Sequence, residues 1–87
     1  MRFPRVNMIA TGERIHQIRQ QQGYSVRELQ QLFGFNEPQS IYRWEWGRSI
    51  PSIDNLVALS YIFQIPIDSI LVLDEPDAVS GIYRKSA

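Results

Sequence analysis

The chain has 87 residues, no cysteine and a formal net charge of zero. That length allows one domain, and a core near this size supplies only about 3–5 kcal/mol of net stability, so the whole sequence must serve one compact unit. The composition excludes a disulfide framework and thiolate chemistry, and the absence of an apolar leader or of a run near ~18 apolar residues points to a cytoplasmic protein with no membrane partner.

In chain order, residues 1–10 read as an irregular arm. Thr11 can cap a first helix running to about Gln22, with Gly23 as its terminator. Ser25 can cap a second to Phe33, with Glu28 at the capping-box position and Gly34 after it. Pro38 suits the first turn of a third helix, where its missing N–H costs nothing, and Gly47 ends that helix. Ser52 can cap a fourth to Phe63, and Pro66 opens a short fifth from about Ile67 to Leu73. Residues 74–87 read as a tail. No segment alternates as a half-buried strand does. The fold class is therefore all-α: a compact bundle of five short helices over residues 11–73, between an arm and a tail.

The stretch from Gly34 to Gly47, GFNEPQSIYRWEWG, is the most informative. At ~100° per residue, Ile41, Trp44, Glu45 and Arg48 share one side of the third helix, and Gln39, Tyr42, Arg43 and Trp46 the other. Ile41 and Trp44 anchor the first set to the core, so the second faces out. That outer stripe is either a solvated helix face or a major-groove reader. A glutamine amide can make paired hydrogen bonds with adenine, and an arginine fork with guanine. Charge supports the second option. Residues 1–50 hold seven arginines against four glutamates, and residues 51–87 hold Arg84 and Lys85 against five acids. A basic half can face a polyanion while the acidic half faces away.

Two short helices joined by a glycine-containing turn have the spacing of a helix-turn-helix. Over residues 9–71 the chain resembles the lambda-repressor-like (Cro/Xre-type) helix-turn-helix family. The resemblance lies in GERIHQIRQQQGYS, LQQLFGF, SIYRWEWGRSIPSIDNLVAL and IFQIPIDSIL, and above all in the combination Ile41, Trp44, Glu45, Gly47 and Pro51. It implies a five-helix domain that docks on double-stranded DNA through its second and third helices, the third entering the major groove. Carried over, the base-reading residues are Gln39, Tyr42 and Arg43, with Glu37 and Ser40 beside them. Ser25 and the first amides of the second helix would hold phosphate, as helix N-termini do. Arg48 and Ser49 match positions that touch the backbone.

The chain departs from the family pattern at three places. Val26 stands where a phosphate-binding glutamine is usual, leaving Arg27 as the nearest substitute. Gln30 replaces a small residue in the second helix. The turn GFNEP is one residue longer than the common form.

On the first helix Ile15, Ile18, Arg19 and Gln22 share a face, so Arg19 points inward, as Glu45 does. Opposite charges sent inward suggest a mutual partner, because a lone buried charge is costly; otherwise both stems carry their charges out to solvent. In the family the matching residues form a salt bridge. The expected core adds Leu29, Leu32 or Phe33, Phe35, Ile53, Leu56, Leu59, Ser60, Phe63, Ile65, Ile67, Ile70 and Leu71. Val57, Ile62 and Leu73 are either a modest apolar patch, near the end through which family members often dimerise, or isolated surface residues. Arg2 and Arg5 either form a minor-groove arm or are solvated while Val6, Met8 and Ile9 pack along the bundle.

The chain shows no phosphate loop, nucleophile elbow or metal-ligand spacing. Its lone histidine, His16, reads as a solvated residue. The expectation is a non-enzymatic, sequence-specific DNA-binding transcriptional regulator that needs no cofactor, metal or small-molecule ligand and pairs as a homodimer on DNA. The alternative is a protein-interaction module on the same fold, antitoxin-like or an assembly protein, using Tyr42 and Trp46 as its hot spot. Non-specific nucleic-acid association is disfavoured by the zero net charge.

Overall fold

The structure, a computed structural model, describes residues 3–74. Arg2 and residues 75–87, with most of the expected tail, lie outside the described residues. Five helices follow in order: α1 Met8–Gln21, α2 Val26–Phe33, α3 Gln39–Glu45, α4 Ile53–Phe63 and α5 Ile67–Ile70. The only extended pairing among the described residues is one antiparallel bridge between Val6 and Leu73.

Most helix ends lie where local chemistry puts them. The Ser25 hydroxyl accepts from the Glu28 N–H at 3.0 Å, and the Glu28 carboxylate accepts from the Ser25 N–H at 2.9 Å, a complete capping box. That second bond chiefly holds the Glu28 carboxyl below the ordinary glutamate value. Ser52 caps α4 through the Asn55 N–H at 3.2 Å.

Two ends differ from the sequence reading for one shared reason. α1 starts at Met8, not at Thr11, and its cap is Asn7, whose side chain accepts from the Ala10 N–H at 2.9 Å. Residues 8–10 are therefore helical rather than irregular. Thr11 lies one turn inside, fully buried, where its hydroxyl bonds both the N–H (2.9 Å) and the carbonyl (3.3 Å) of Val72. α5 likewise stops at Ile70 instead of reaching Leu73, because residues 72–74 run extended alongside residues 5–7. The Asn7 N–H donates to Val72 at 2.7 Å and the Asp74 N–H to Arg5 at 2.7 Å. This pairing joins the two ends of the described chain, and no local periodicity announces it. It also leaves Val6, Met8 and Ile9 with substantial exposure.

The core is Ile15, Ile18, Leu29, Ile41, Trp44, Leu56, Leu59, Phe63 and Ile70. Phe33, not Leu32, packs against it. Phe33 stacks on Phe35 at 4.9 Å, and both rings meet Trp44 edge-on. Ile53 was expected inside and is 78% exposed, because α4 presents Leu56, Leu59 and Phe63 inward and turns Ile53 away. Ile62 packs on the core rather than joining Val57 and Leu73 at the surface.

The contact that sets the shape is α1 against α3. A Cβ on Gly12 would overlap the Trp44 carbonyl oxygen and stand 3.0 Å from that of Glu45, so the two backbones touch with no side chain between them. Gly47, at φ 72°, follows α3 in a left-handed conformation, and a Cβ there would lie 2.8 Å from the Ile9 Cα.

Two turns along α1 from Gly12, Arg19 grips Glu45 with both edges of its fork. Nε donates to Oε2 at 2.7 Å, and Nη2 to Oε1 at 3.1 Å. Nη1 donates to the Tyr24 carbonyl at 3.0 Å. The side chains are only 12% and 6% exposed, so the pair lies inside the fold. The hydrogen bond to Glu45 raises the Arg19 pKa above its already high ordinary value, against the opposing effect of burial, so the guanidinium stays charged.

Both contacts give measurable expectations. Alanine ordinarily stabilises a helix-interior glycine site by roughly 0.5–1 kcal/mol. Gly12→Ala should do the opposite and cost at least ~1–3 kcal/mol by overpacking, seen as a lower urea midpoint; a raised midpoint would contradict the contact. For the ion pair, Arg19→Met and Glu45→Gln should each be destabilising. Breaking a well-buried pair costs ~3–5 kcal/mol when one partner is removed outright. The double variant should be less destabilised than the sum, with a coupling above ~0.5 kcal/mol. Additive effects would mean that the two side chains do not interact.

Candidate nucleic-acid interface

With Ile41 and Trp44 locked in the core, the other side of α3 has to face out. Gln39, Ser40, Tyr42 and Arg43 are all exposed there. Trp46, at the C-cap position, is 64% exposed and stacks on Tyr42 with ring centroids 5.4 Å apart and planes 21° from parallel. An amide, a hydroxyl, a guanidinium and an aromatic pair thus share one face of a helix whose back cannot rotate.

Arg48 does not follow the phase that put it on the inner side. α3 ends at Glu45, and the turn through Gly47 sends Arg48 to the surface. The N–H groups of Arg48 and Ser49 close that turn on the Arg43 carbonyl, at 2.9 and 3.3 Å. Ser49 is half-buried beside it.

At the start of α2, Ser25 and Arg27 are exposed. The Ser25 N–H and hydroxyl oxygen are already engaged in the capping box. The amides of Val26 and Arg27 are among the first-turn N–H groups that lack partners within the helix. Val26 packs its side chain partly against the core, which accounts for an apolar residue at this helix start. Gln30 is half-buried and donates to the Phe35 carbonyl at 3.3 Å, so its amide ties down the start of the turn between α2 and α3. Glu37 is exposed in that turn.

The sequence reading missed one member of the supporting cluster. His16 is 43% exposed rather than free in solvent, and its Nδ1 lies 2.7 Å from Glu45 Oε1. A separation that short places the proton on Nδ1, donating to the carboxylate, since two lone pairs would repel. Arg19 Nη2, 3.1 Å from the same nitrogen, then spends its hydrogen bond on Glu45. The available signal was positional: His16 precedes Arg19 by three residues, one helical turn, and so reaches the same acid. Glu13, His16, Gln17 and Arg19 from α1, with Tyr42, Glu45 and Trp46, line an open groove of about 390 Å³.

Among the described residues no cluster of three or more His, Cys, Asp or Glu side chains could hold a metal ion, and no helix is long and apolar enough to cross a membrane.

Comparison with known proteins agrees with this geometry. The helix-turn-helix family profile matches residues 15–70. A protein of Pyrococcus furiosus named for an HTH-type transcriptional regulatory role is 38% identical over 56 residues, covering 64% of this chain and 18% of that protein. The chain thus spans under one fifth of the curated relative it matches. Among solved structures, the DNA-binding domain of BldD superimposes with a TM-score of 0.65 at 19% identity, over 76% of this chain and 94% of that one. The restriction-modification controller protein C.AhdI of Aeromonas hydrophila gives 0.65 at 22% identity, over 72% and 94%. These likenesses establish the five-helix architecture, and with the profile match they show that the chain belongs to the Cro/Xre-type helix-turn-helix family.

Proposed function

We propose that this chain is a sequence-specific double-stranded DNA-binding transcriptional regulator that lays α3 in the major groove. The observation that carries it is the outer face of α3, where Gln39, Ser40, Tyr42 and Arg43 stand together on a helix fixed from behind. Family membership and the regulatory role in the relative's name support the same assignment. In this assignment Gln39 pairs with adenine and Arg43 with guanine, while Glu37, Ser40 and Tyr42 contact neighbouring base edges. Ser25, Arg27 and the first amides of α2 hold one phosphate, and Arg48 and Ser49 hold another. The chain acts in the cytoplasm by binding and performs no reaction of its own.

A single copy offers one short reading helix, so two copies bind about a dyad with half-sites roughly 34–36 Å apart. Ile53, Val57 and Tyr61, spaced at four residues on α4 and all exposed, provide an apolar row that supports contact between copies. A second reading, a protein-interaction module, draws on the exposed Tyr42–Trp46 pair alone.

Selection from a random duplex pool followed by titration tests the proposal. The expected result is an enriched two-part site that binds two protomers, on which Arg43→Ala costs ~1–3 kcal/mol and relaxes preference at one base pair per half-site. Equal weakening on every sequence would move Arg43 to the phosphates, and a pool without enrichment would favour protein binding.

A further inference from the structure

We propose that the stacked Tyr42–Trp46 pair is a reader of thymine methyl groups, selecting a base that Gln39 and Arg43 do not. The inference rests on the DNA-binding assignment above and adds to it a specificity element of another kind, contact with an apolar group on the base.

Trp46 is unusual in its place. It contributes nothing to the core, which already has Trp44 with Phe33 and Phe35 around it. Instead its ring is mostly open to solvent and stacks on the Tyr42 ring. Residues 39, 42, 43 and 46 fall at i, i+3, i+4 and i+7, so the aromatic pair lies on the same stripe as Gln39 and Arg43. The stripe therefore combines groups that hydrogen-bond base edges with two stacked ring faces that can bury an apolar group.

In the major groove the base edges offer donors, acceptors and one apolar group, the C5-methyl of thymine. An apolar surface carried into that groove gains by burying this methyl and loses by covering the groove-facing amino hydrogen of cytosine. The surroundings match a duplex better than a protein partner, since Arg43 shares the stripe and Arg48 is exposed just past its end. Gln39 and Trp46 stand seven residues apart, about 10 Å along the helix axis, too far for both to meet one base. The thymine read by the aromatic pair thus belongs to a different base pair from the one bonded by Gln39.

The test uses the full chain and the duplex obtained by selection, with each thymine replaced in turn by deoxyuridine, which removes only the methyl. For the wild-type protein, one or two replacements per half-site should weaken binding roughly fourfold per methyl lost. Trp46→Ala, whose fold is checked by circular dichroism, should bind the parent duplex more weakly and be indifferent to those same replacements. Trp46→Phe should regain part of the methyl dependence. Uniform tolerance of deoxyuridine by the wild type overturns the proposal. So does a methyl dependence that survives in Trp46→Ala, or a Trp46→Ala protein that keeps full affinity for every duplex, which would assign the pair to protein docking. If no duplex is enriched at all, the DNA-binding assignment falls and this inference falls with it.

Discussion

The backbone contact between α1 and α3 is the constraint on which the rest depends. At Gly12 no side chain separates the first helix from the carbonyl groups of Trp44 and Glu45. Two turns later Arg19 holds the Glu45 carboxylate with two hydrogen bonds, and His16 adds a third from the turn between. Shape and charge, supplied from two points along α1, both hold the C-terminal end of a helix only seven residues long. So short a segment has no helical stability of its own in water. Its order comes from what it is packed against, and so does the direction of its outer face.

That dependence explains the use of a buried ion pair in so small a domain. A hydrophobic contact of similar volume can be as stabilising as a buried pair or more so. A bidentate guanidinium–carboxylate pair adds direction, because both of its hydrogen bonds weaken when the helix turns. Arg19 also ties the Tyr24 carbonyl, and with it the start of the turn into α2, to the same point. The helices flanking the α2–α3 turn are thereby referenced to one residue of α1. Gln30 secures the start of that turn from inside, through the Phe35 carbonyl.

The parts of this arrangement legible in the sequence were those governed by local rules. The capping box of Ser25 and Glu28 and the cap at Ser52 follow from short-range hydrogen bonding and lie where spacing put them. The inward aim of Arg19 and Glu45 followed from helical phase, which is reliable inside a helix and fails past its end, as Arg48 shows. The sequence pointed to Thr11 as the first cap, whereas Asn7, equally suited by residue type, holds that place. The choice between them was made by Val72, far away in the chain, and the same pairing ended α5 early. Ile53 was misplaced because an apolar residue at a helix start carries no sign of which way the helix will face. The outer stripe of α3 was legible for the opposite reason: its two large apolar residues leave only one face to bury.

The two tryptophans give a direct way to test whether that outer stripe is the surface that meets DNA. Trp44 is buried in the core and Trp46 stands outside it, so each indole N–H reports on one side of α3. In a protein labelled with nitrogen-15 at tryptophan, the two indole signals are assigned with Trp46→Phe and followed as the selected duplex is added. The account predicts that the Trp46 signal moves or broadens on binding while the Trp44 signal stays close to its free position. Saturation with duplex that leaves Trp46 unchanged, with amide shifts mapping instead to the exposed row of α4, would contradict it.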